Sequence, residues 1–211
     1  MSARVITVAQ QKGGAGKTTV VVQLATALLA GGREVAVVDI DPQGSLTDWM
    51  RVREHLARDA RHLRFSMVGG WRLQSEIDRL TREADIVVVD SPPHADTDAK
   101  AAIRAADLVL VPCQPSPLDV WASKSTLEAA ARSGREVRLL LNRVPARGRV
   151  TEEALAAIAK QGYPALDARL GNRQPFVASL ARGLGVVESD PRSAAASEVA
   201  ALVEETIPLI G

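Results

Sequence analysis

The sequence predicts an α/β fold: a mostly parallel, twisted sheet flanked by helices on both faces. Three observations carry that prediction. Five short runs, at 5–9, 35–38, 86–89, 108–111 and 137–141, are nearly continuous in Val, Ile and Leu, the pattern of strands buried on both faces of a parallel sheet. Helix-length segments lie between them, as in repeated strand–helix–strand units. The polar and glycine-rich stretches fall just after the runs, at the strand ends where open α/β sheets bind ligands.

The first run leads into a helix at 17–30, which sets Val21, Leu24 and Leu28 at helical spacing and stops at Gly31-Gly32, a C-terminal signal. Further helices are predicted at 45–58, 71–83, 96–105, 122–133, 151–161 and 193–207, with Thr151 as an N-cap. Residues 63–68 form a weaker candidate strand at an edge. The Pro-rich stretch 112–117 reads as a loop at a strand end, so 1–211 is expected to form one domain.

With 211 residues, 46% hydrophobic and 24% charged, the chain has an ordinary globular balance. A formal charge of +1 creates no global field, so any attraction to nucleic acid must come from local patches. The single cysteine, Cys113, excludes an internal disulfide framework and cannot alone hold zinc or an iron–sulfur cluster. Aromatics at 3% argue against stacking platforms for single strands. No run approaches the ~18 apolar residues of a membrane span, and no signal peptide precedes the first strand. The expected location is the cytoplasm. His55, His62 and His94 lack metal-ligand spacing, and Trp49, Trp71 and Trp121 are expected to pack helices.

The stretch Gln11-Lys12-Gly13-Gly14-Ala15-Gly16-Lys17-Thr18-Thr19 joins the first strand to the first helix. Successive glycines let backbone N–H groups turn inward around phosphates, and the helix N-terminus adds a favourable dipole. Lys17 would reach the β- and γ-phosphates, and Thr18 would place its hydroxyl on magnesium. The usual loop has Gly six residues before its Lys; here that position is Gln11, and Lys12 adds a second cation.

Two carboxylates, Asp39 and Asp41, end the second strand at i, i+2 and point the same way. One would serve a metal's water shell and the other an attacking water. Asp90 follows the run at 86–89, the arrangement that holds magnesium in phosphate-loop enzymes. Asn142 and Arg143 end the fifth run, where an adenine would lie, and Asn can pair with adenine N6 and N7. Pro175 and Phe176 are either an apolar wall of that pocket or ordinary core.

Lys12-Gly13-Gly14-Ala15-Gly16-Lys17-Thr18 resembles the deviant Walker A motif of the ParA/MinD superfamily of ATPases, and the segments at Asp41 and Asp90 resemble its two switches. The resemblance covers almost the whole chain. The stretches at 41–49, 115–119, 173–177 and 185–189 are most similar to the short ParF-type plasmid-partition ATPases, which lack an N-terminal helix-turn-helix domain. It implies a phosphate-loop fold of the ParA/MinD type, slow Mg-dependent ATP hydrolysis, and an ATP-sandwich homodimer in which Lys12 reaches the partner's nucleotide. By the same match Asp41 positions the hydrolytic water, and Asp39 and Asp90 serve the metal.

The resemblance further implies a DNA-partition ATPase. Its dimer binds DNA without sequence preference, associates with the nucleoid, and is reset by a centromere-binding or cargo adaptor protein. Charge supports this independently: between 132 and 182, ten cations face four carboxylates, a patch suited to salt-sensitive phosphate contacts. Arg147, Arg149, Arg169 and Arg173 are the candidate contacts. An alternative keeps the ATPase and changes the cargo to a chemoreceptor cluster or microcompartment. A membrane-bound MinD-like regulator fits less well, because the C-terminal segment carries Glu198, Glu204 and Glu205 and no cation, so no membrane partner is expected.

Overall fold

The computed structural model describes residues 3–57, 60–93 and 97–211. Arg58 and Asp96, the expected ends of two helices, and His94 lie outside them. The strands are β1 (Arg4–Val8), β2 (Val35–Asp39), β3 (Arg64–Met67), β4 (Ile86–Asp90), β5 (Leu108–Cys113), β6 (Glu136–Val144) and β7 (Ala165–Gly171). The helices are α1 (Lys17–Ala30), α2 (Ser45–Leu56), α3 (Leu73–Leu80), α4 (Thr97–Ala105), α5 (Pro117–Arg132), α6 (Val150–Gln161), α7 (Gln174–Leu180), α8 (Val186–Ser189) and α9 (Ala194–Thr206). The strands form one sheet in the order β3-β2-β4-β1-β5-β6-β7, and every pair is parallel.

Alternate residues of each strand face opposite layers, which is why the runs are apolar throughout. Val35 and Val37 pack towards α1 and α9, whereas Ala36 and Val38 pack towards α3 and α4. On the first face α1, α2, α7, α8 and α9 share a single apolar cluster. The other face has one cluster under α3 and α4 and a second under α5 and α6. The chain goes from β1 to β2 and β3 on one side, returns to insert β4 beside β1, and continues through β5, β6 and β7 on the other, so the loop after β1 opens where the strand order reverses.

Several element predictions need correction. The segment 165–171 is a strand that the search for continuous apolar runs passes over. It alternates instead, burying Leu166, Ala168 and Leu170 and exposing Asp167 and Arg169. As an edge strand it has outward N–H groups to satisfy. Glu205 accepts from the Asp167 and Ala168 amides at 2.9 and 2.7 Å, and Glu198 accepts from the Gly171 amide at 2.9 Å. Two carboxylates of α9 thus close the sheet edge. The helix expected at 122–133 starts at Pro117, because Ser116 caps it by accepting the Asp119 amide at 3.2 Å. Thr151 is not an N-cap; it lies in the first turn of α6, and Arg149 holds the cap position. Trp71 packs against no core: it is 85% exposed, with the Arg72 guanidinium 5.5 Å from its ring.

Two buried polar clasps seat α7 and α8 against the first-face helices. Arg53 of α2 donates to both Glu188 oxygens at 2.9 and 2.8 Å and to the Gly183 carbonyl at 2.9 Å. Gln23 of α1 donates to Ser179 Oγ at 3.1 Å and accepts from the Val186 amide at 2.7 Å.

Candidate nucleotide site

The cleft of about 600 Å3 at the carboxyl ends of the central strands is lined by Gly13, Gly14, Gly16, Lys17, Thr18 and Thr19 from the loop after β1. Gly14 and Gly16 adopt φ of 77° and 89°, a left-handed backbone that favours glycine. Gly16 is required twice over, since a Cβ there would lie 2.5 Å from Asn142 Nδ2. The loop is braced from behind. Asn142 donates to the Ala15 carbonyl at 2.8 Å, and Gln114 donates to the Gly14 carbonyl at 3.2 Å.

Lys17 is buried, and that burial lowers its pKa against the opposing pull of Asp90 and Asp41. The ammonium thus sits in the field of two carboxylates while lining the cleft. Thr18 Oγ1 donates to Asp90 Oδ2 at 2.6 Å. Asp90 Oδ1 is buried with no hydrogen-bond partner in the structure, and burial pushes the Asp90 carboxyl up to about 7. A buried oxygen without a donor beside a threonine hydroxyl fits magnesium. Among the described residues no group of three or more His, Cys, Asp or Glu could hold a metal ion. Thr18 and Asp90 would hold magnesium, and its charge would offset that developing on the phosphates.

Asp41 also lines the cleft. Its Oδ1 accepts the Gln43 amide at 2.9 Å and its carbonyl accepts the Gly44 amide at 2.9 Å, a tight turn that leaves Oδ2 open. Asp39, the other carboxylate expected to serve the metal, does not line the cleft. It is fully buried, and both its oxygens accept from the protein: Oδ1 from the Asp41 amide at 3.0 Å, Oδ2 from the Thr47 amide at 2.9 Å and hydroxyl at 2.7 Å. Burial raises its pKa, with the Thr47 bonds acting against that rise. No lone oxygen of Asp39 is presented to a metal.

The base pocket is also revised. Asn142 is buried with its amide committed to the Ala15 carbonyl and its oxygen to the Arg143 amide at 2.9 Å. These two bonds brace the phosphate loop from behind. Arg143 does line the cleft, at a φ of 56° that is unusual for a side-chain-bearing residue. Phe176 belongs to the core, because its side chain completes the apolar cluster beneath α7. Neither it nor Pro175 is among the cleft residues; Leu180, one turn on, takes that wall. Ser45, Asp48, Trp49 and Val52, one face of α2, also line the cleft. Their i, i+3, i+4, i+7 spacing was the available signal, masked by the apolar character that Trp49 and Val52 share with core residues.

Lys12 lies outside the cleft lining. Its Nζ pairs with Asp119 Oδ1 at 2.6 Å, beside the exposed Leu118 and Trp121 of α5. The arginines expected to meet DNA gather at the carboxyl end of the β6–β7 pair, where Leu141 registers with Arg169 and Val144 with Gly171. Arg147, Arg149 and Arg169 are exposed. Arg173 is not a free cation: Glu198 holds its Nε at 2.8 Å and Nη2 at 2.7 Å.

Residues 6–186 match the CobQ/CobB/MinD/ParA nucleotide binding domain. The chain is 31% identical over 214 residues to Maintenance of carboxysome distribution protein A of Halothiobacillus neapolitanus, with 96% of each chain covered. It is 35% identical over 136 residues to the chromosome-partitioning ATPase Soj of Thermus thermophilus, covering 53% of this chain and 55% of Soj. Its fold superposes on the septum site-determining protein MinD of Pyrococcus horikoshii, solved with Mg-ADP, at a TM-score of 0.83 and 22% identity, covering 99% and 98% of the two chains. With the phosphate loop, the buried lysine and the half-satisfied Asp90 already in place, these likenesses establish that the chain belongs to the CobQ/CobB/MinD/ParA family and is an ATPase of the ParA/MinD type, working with ATP and magnesium.

Proposed function

We propose that this protein is a ParA-like positioning ATPase that distributes a large protein assembly, using DNA as its track. The observation that carries the cargo is the near full-length likeness to a carboxysome distribution protein, against a likeness to Soj over about half of each chain. This moves the reading from plasmid or chromosome partition to the alternative cargo. An adaptor protein on the assembly would stimulate hydrolysis. The docked α9, whose Glu198 and Glu205 are occupied by β7, favours this over a membrane-bound regulator. Among the described residues no helix is long and apolar enough to cross a membrane.

In the proposed cycle Lys17 and the loop amides hold the phosphates, and the open Oδ2 of Asp41 orients the attacking water. The ATP-bound form is a sandwich homodimer. Arg147, Arg149 and Arg169 of both copies then face one DNA, so dimerisation doubles a patch too weak to act alone. Binding to random-sequence duplex is expected with ATP–Mg, and not with ADP–Mg or without nucleotide, falling steeply between 50 and 200 mM salt by roughly tenfold or more. Loss of the gene is expected to clump the assembly and leave DNA inheritance intact. Equal DNA binding in all nucleotide states would remove the track, and plasmid or chromosome loss would restore the partition reading.

The Lys12–Asp119 pair bears on the dimer. To reach a partner's nucleotide, Lys12 must leave Asp119. Lys12→Ala is expected to keep ADP affinity within about threefold and to abolish the ATP dimer in sedimentation. Asp119→Asn, by releasing Lys12, is expected to raise the dimer fraction at a given ATP concentration. A normal ATP dimer in Lys12→Ala would remove Lys12 from the interface.

A further inference from the structure

The geometry points to Asp39 and Thr47 as a buried pin that positions Asp41, rather than to Asp39 as part of the metal site. The inference rests on the reading of Asp41 as the water-orienting group. Gly44, at the N-cap of α2, has no side chain to cap it, so the first amides of that helix need an outside acceptor. Asp39 supplies one from the end of β2: its Oδ2 accepts the Thr47 amide, the third in the helix, as an N-cap side chain would. The helix N-terminus also favours a negative group there. The Thr47 hydroxyl adds a second bond to the same oxygen, at 2.7 Å.

The other oxygen, Oδ1, accepts the Asp41 amide at 3.0 Å. One fully buried carboxylate therefore ties the start of the loop after β2 to the first turn of α2. Asp41 stands between the two tethers, turned by its own bonds to Gln43 and Gly44 so that Oδ2 is open at the cleft. Its placement thus depends on Asp39 and Thr47, which line none of the cleft themselves. A group that must hold a water within a few tenths of an ångström is sensitive to such tethers, and a misplacement of about 1 Å costs on the order of 100-fold.

The test compares Asp39→Asn, Thr47→Val, Thr47→Ser and Asp41→Ala in the full chain. Three readouts are taken: ATP hydrolysis, the magnesium dependence of ADP binding, and hydrogen–deuterium exchange over 40–48. Asp39→Asn replaces an acceptor by a donor facing the Thr47 amide. It is expected to lower kcat about tenfold or more, hold KM within about threefold, and speed exchange over 40–48. Thr47→Val, which keeps the shape and loses the hydroxyl, should show a smaller change of the same kind, and Thr47→Ser should restore the parent values. Magnesium dependence should be unchanged in all three.

Weakened magnesium dependence in Asp39→Asn, with Thr47→Val silent, would return Asp39 to the metal and overturn the pin. So would unchanged exchange over 40–48 in both Asp39→Asn and Thr47→Val. Should Asp39→Asn fail to fold, Thr47→Val and Thr47→Ser decide the matter alone. Normal hydrolysis by Asp41→Ala would instead refute the water-orienting role, while exchange in the Thr47 variants would still judge the tether.

Discussion

Lys17→Ala is expected to weaken ATP and ADP binding by about 100-fold or more, with the fold intact. Charge-assisted hydrogen bonds to phosphate are each worth roughly 1.5–3 kcal/mol, and a loss of about 2.7 kcal/mol is 100-fold. Here the loss is compounded. Lys17 is the cation that offsets the charges of Asp90 and Asp41 beside the cleft, so its removal leaves that negative field uncompensated against incoming phosphates. Titration calorimetry with ADP–Mg measures the affinity and circular dichroism the fold. An affinity within threefold of the parent protein would mean that this loop does not hold the phosphates.

Asp90→Asn is expected to move stability and function in opposite directions. In the nucleotide-free protein, burial lifts the Asp90 carboxyl from 3.8 to about 7. The folded state therefore binds a proton more tightly than the unfolded chain. Between about pH 4 and 7 the unfolded chain has released that proton and the folded protein keeps it, so Asp90 makes stability fall as pH rises. Above pH 7 the folded protein carries the desolvated charge and the full cost remains. Asparagine resembles the protonated acid at every pH. The variant should be more stable than the parent at pH 8, on the order of 4 kcal/mol by urea unfolding, with the gap narrowing as pH falls and closing only near pH 4. Mg-dependent hydrolysis should fall by about 100-fold or more, since the unpartnered Oδ1 is lost as a charged acceptor. A variant less stable than the parent at pH 8 would mean instead that Lys17 compensates the Asp90 charge in the folded protein.

Most of the architecture was legible because buried parallel strands leave a strong local signature. The runs at 86–89 and 108–111 became β4 and β5 almost as drawn, since every residue in them faces a core. β7 was missed for the converse reason: as the edge strand it has one wet face, and its seven residues include no Val or Ile. The helix expected at 122–133 begins at Pro117, where Ser116-Pro117 carries the capping signal.

The site divides along the same line. The sequence by itself determined the chemistry of the phosphate loop, because glycines at left-handed positions and a lysine at a helix start act through the backbone that carries them. It marked Asp90 and Asp41 as candidates as well, because carboxylates at or just past the ends of buried strands stand out against the apolar runs before them. Only the tertiary structure decided the rest. Asn142 bonds the Ala15 carbonyl, Asp39 the Thr47 hydroxyl, Arg173 the Glu198 carboxylate, and Lys12 the Asp119 carboxylate. Each of these roles depends on which donor or acceptor stands within about 3 Å of a polar atom. Those partners come from segments 8 to 127 residues away along the chain, brought there by packing of the sheet and its helices, and local sequence carries no record of them.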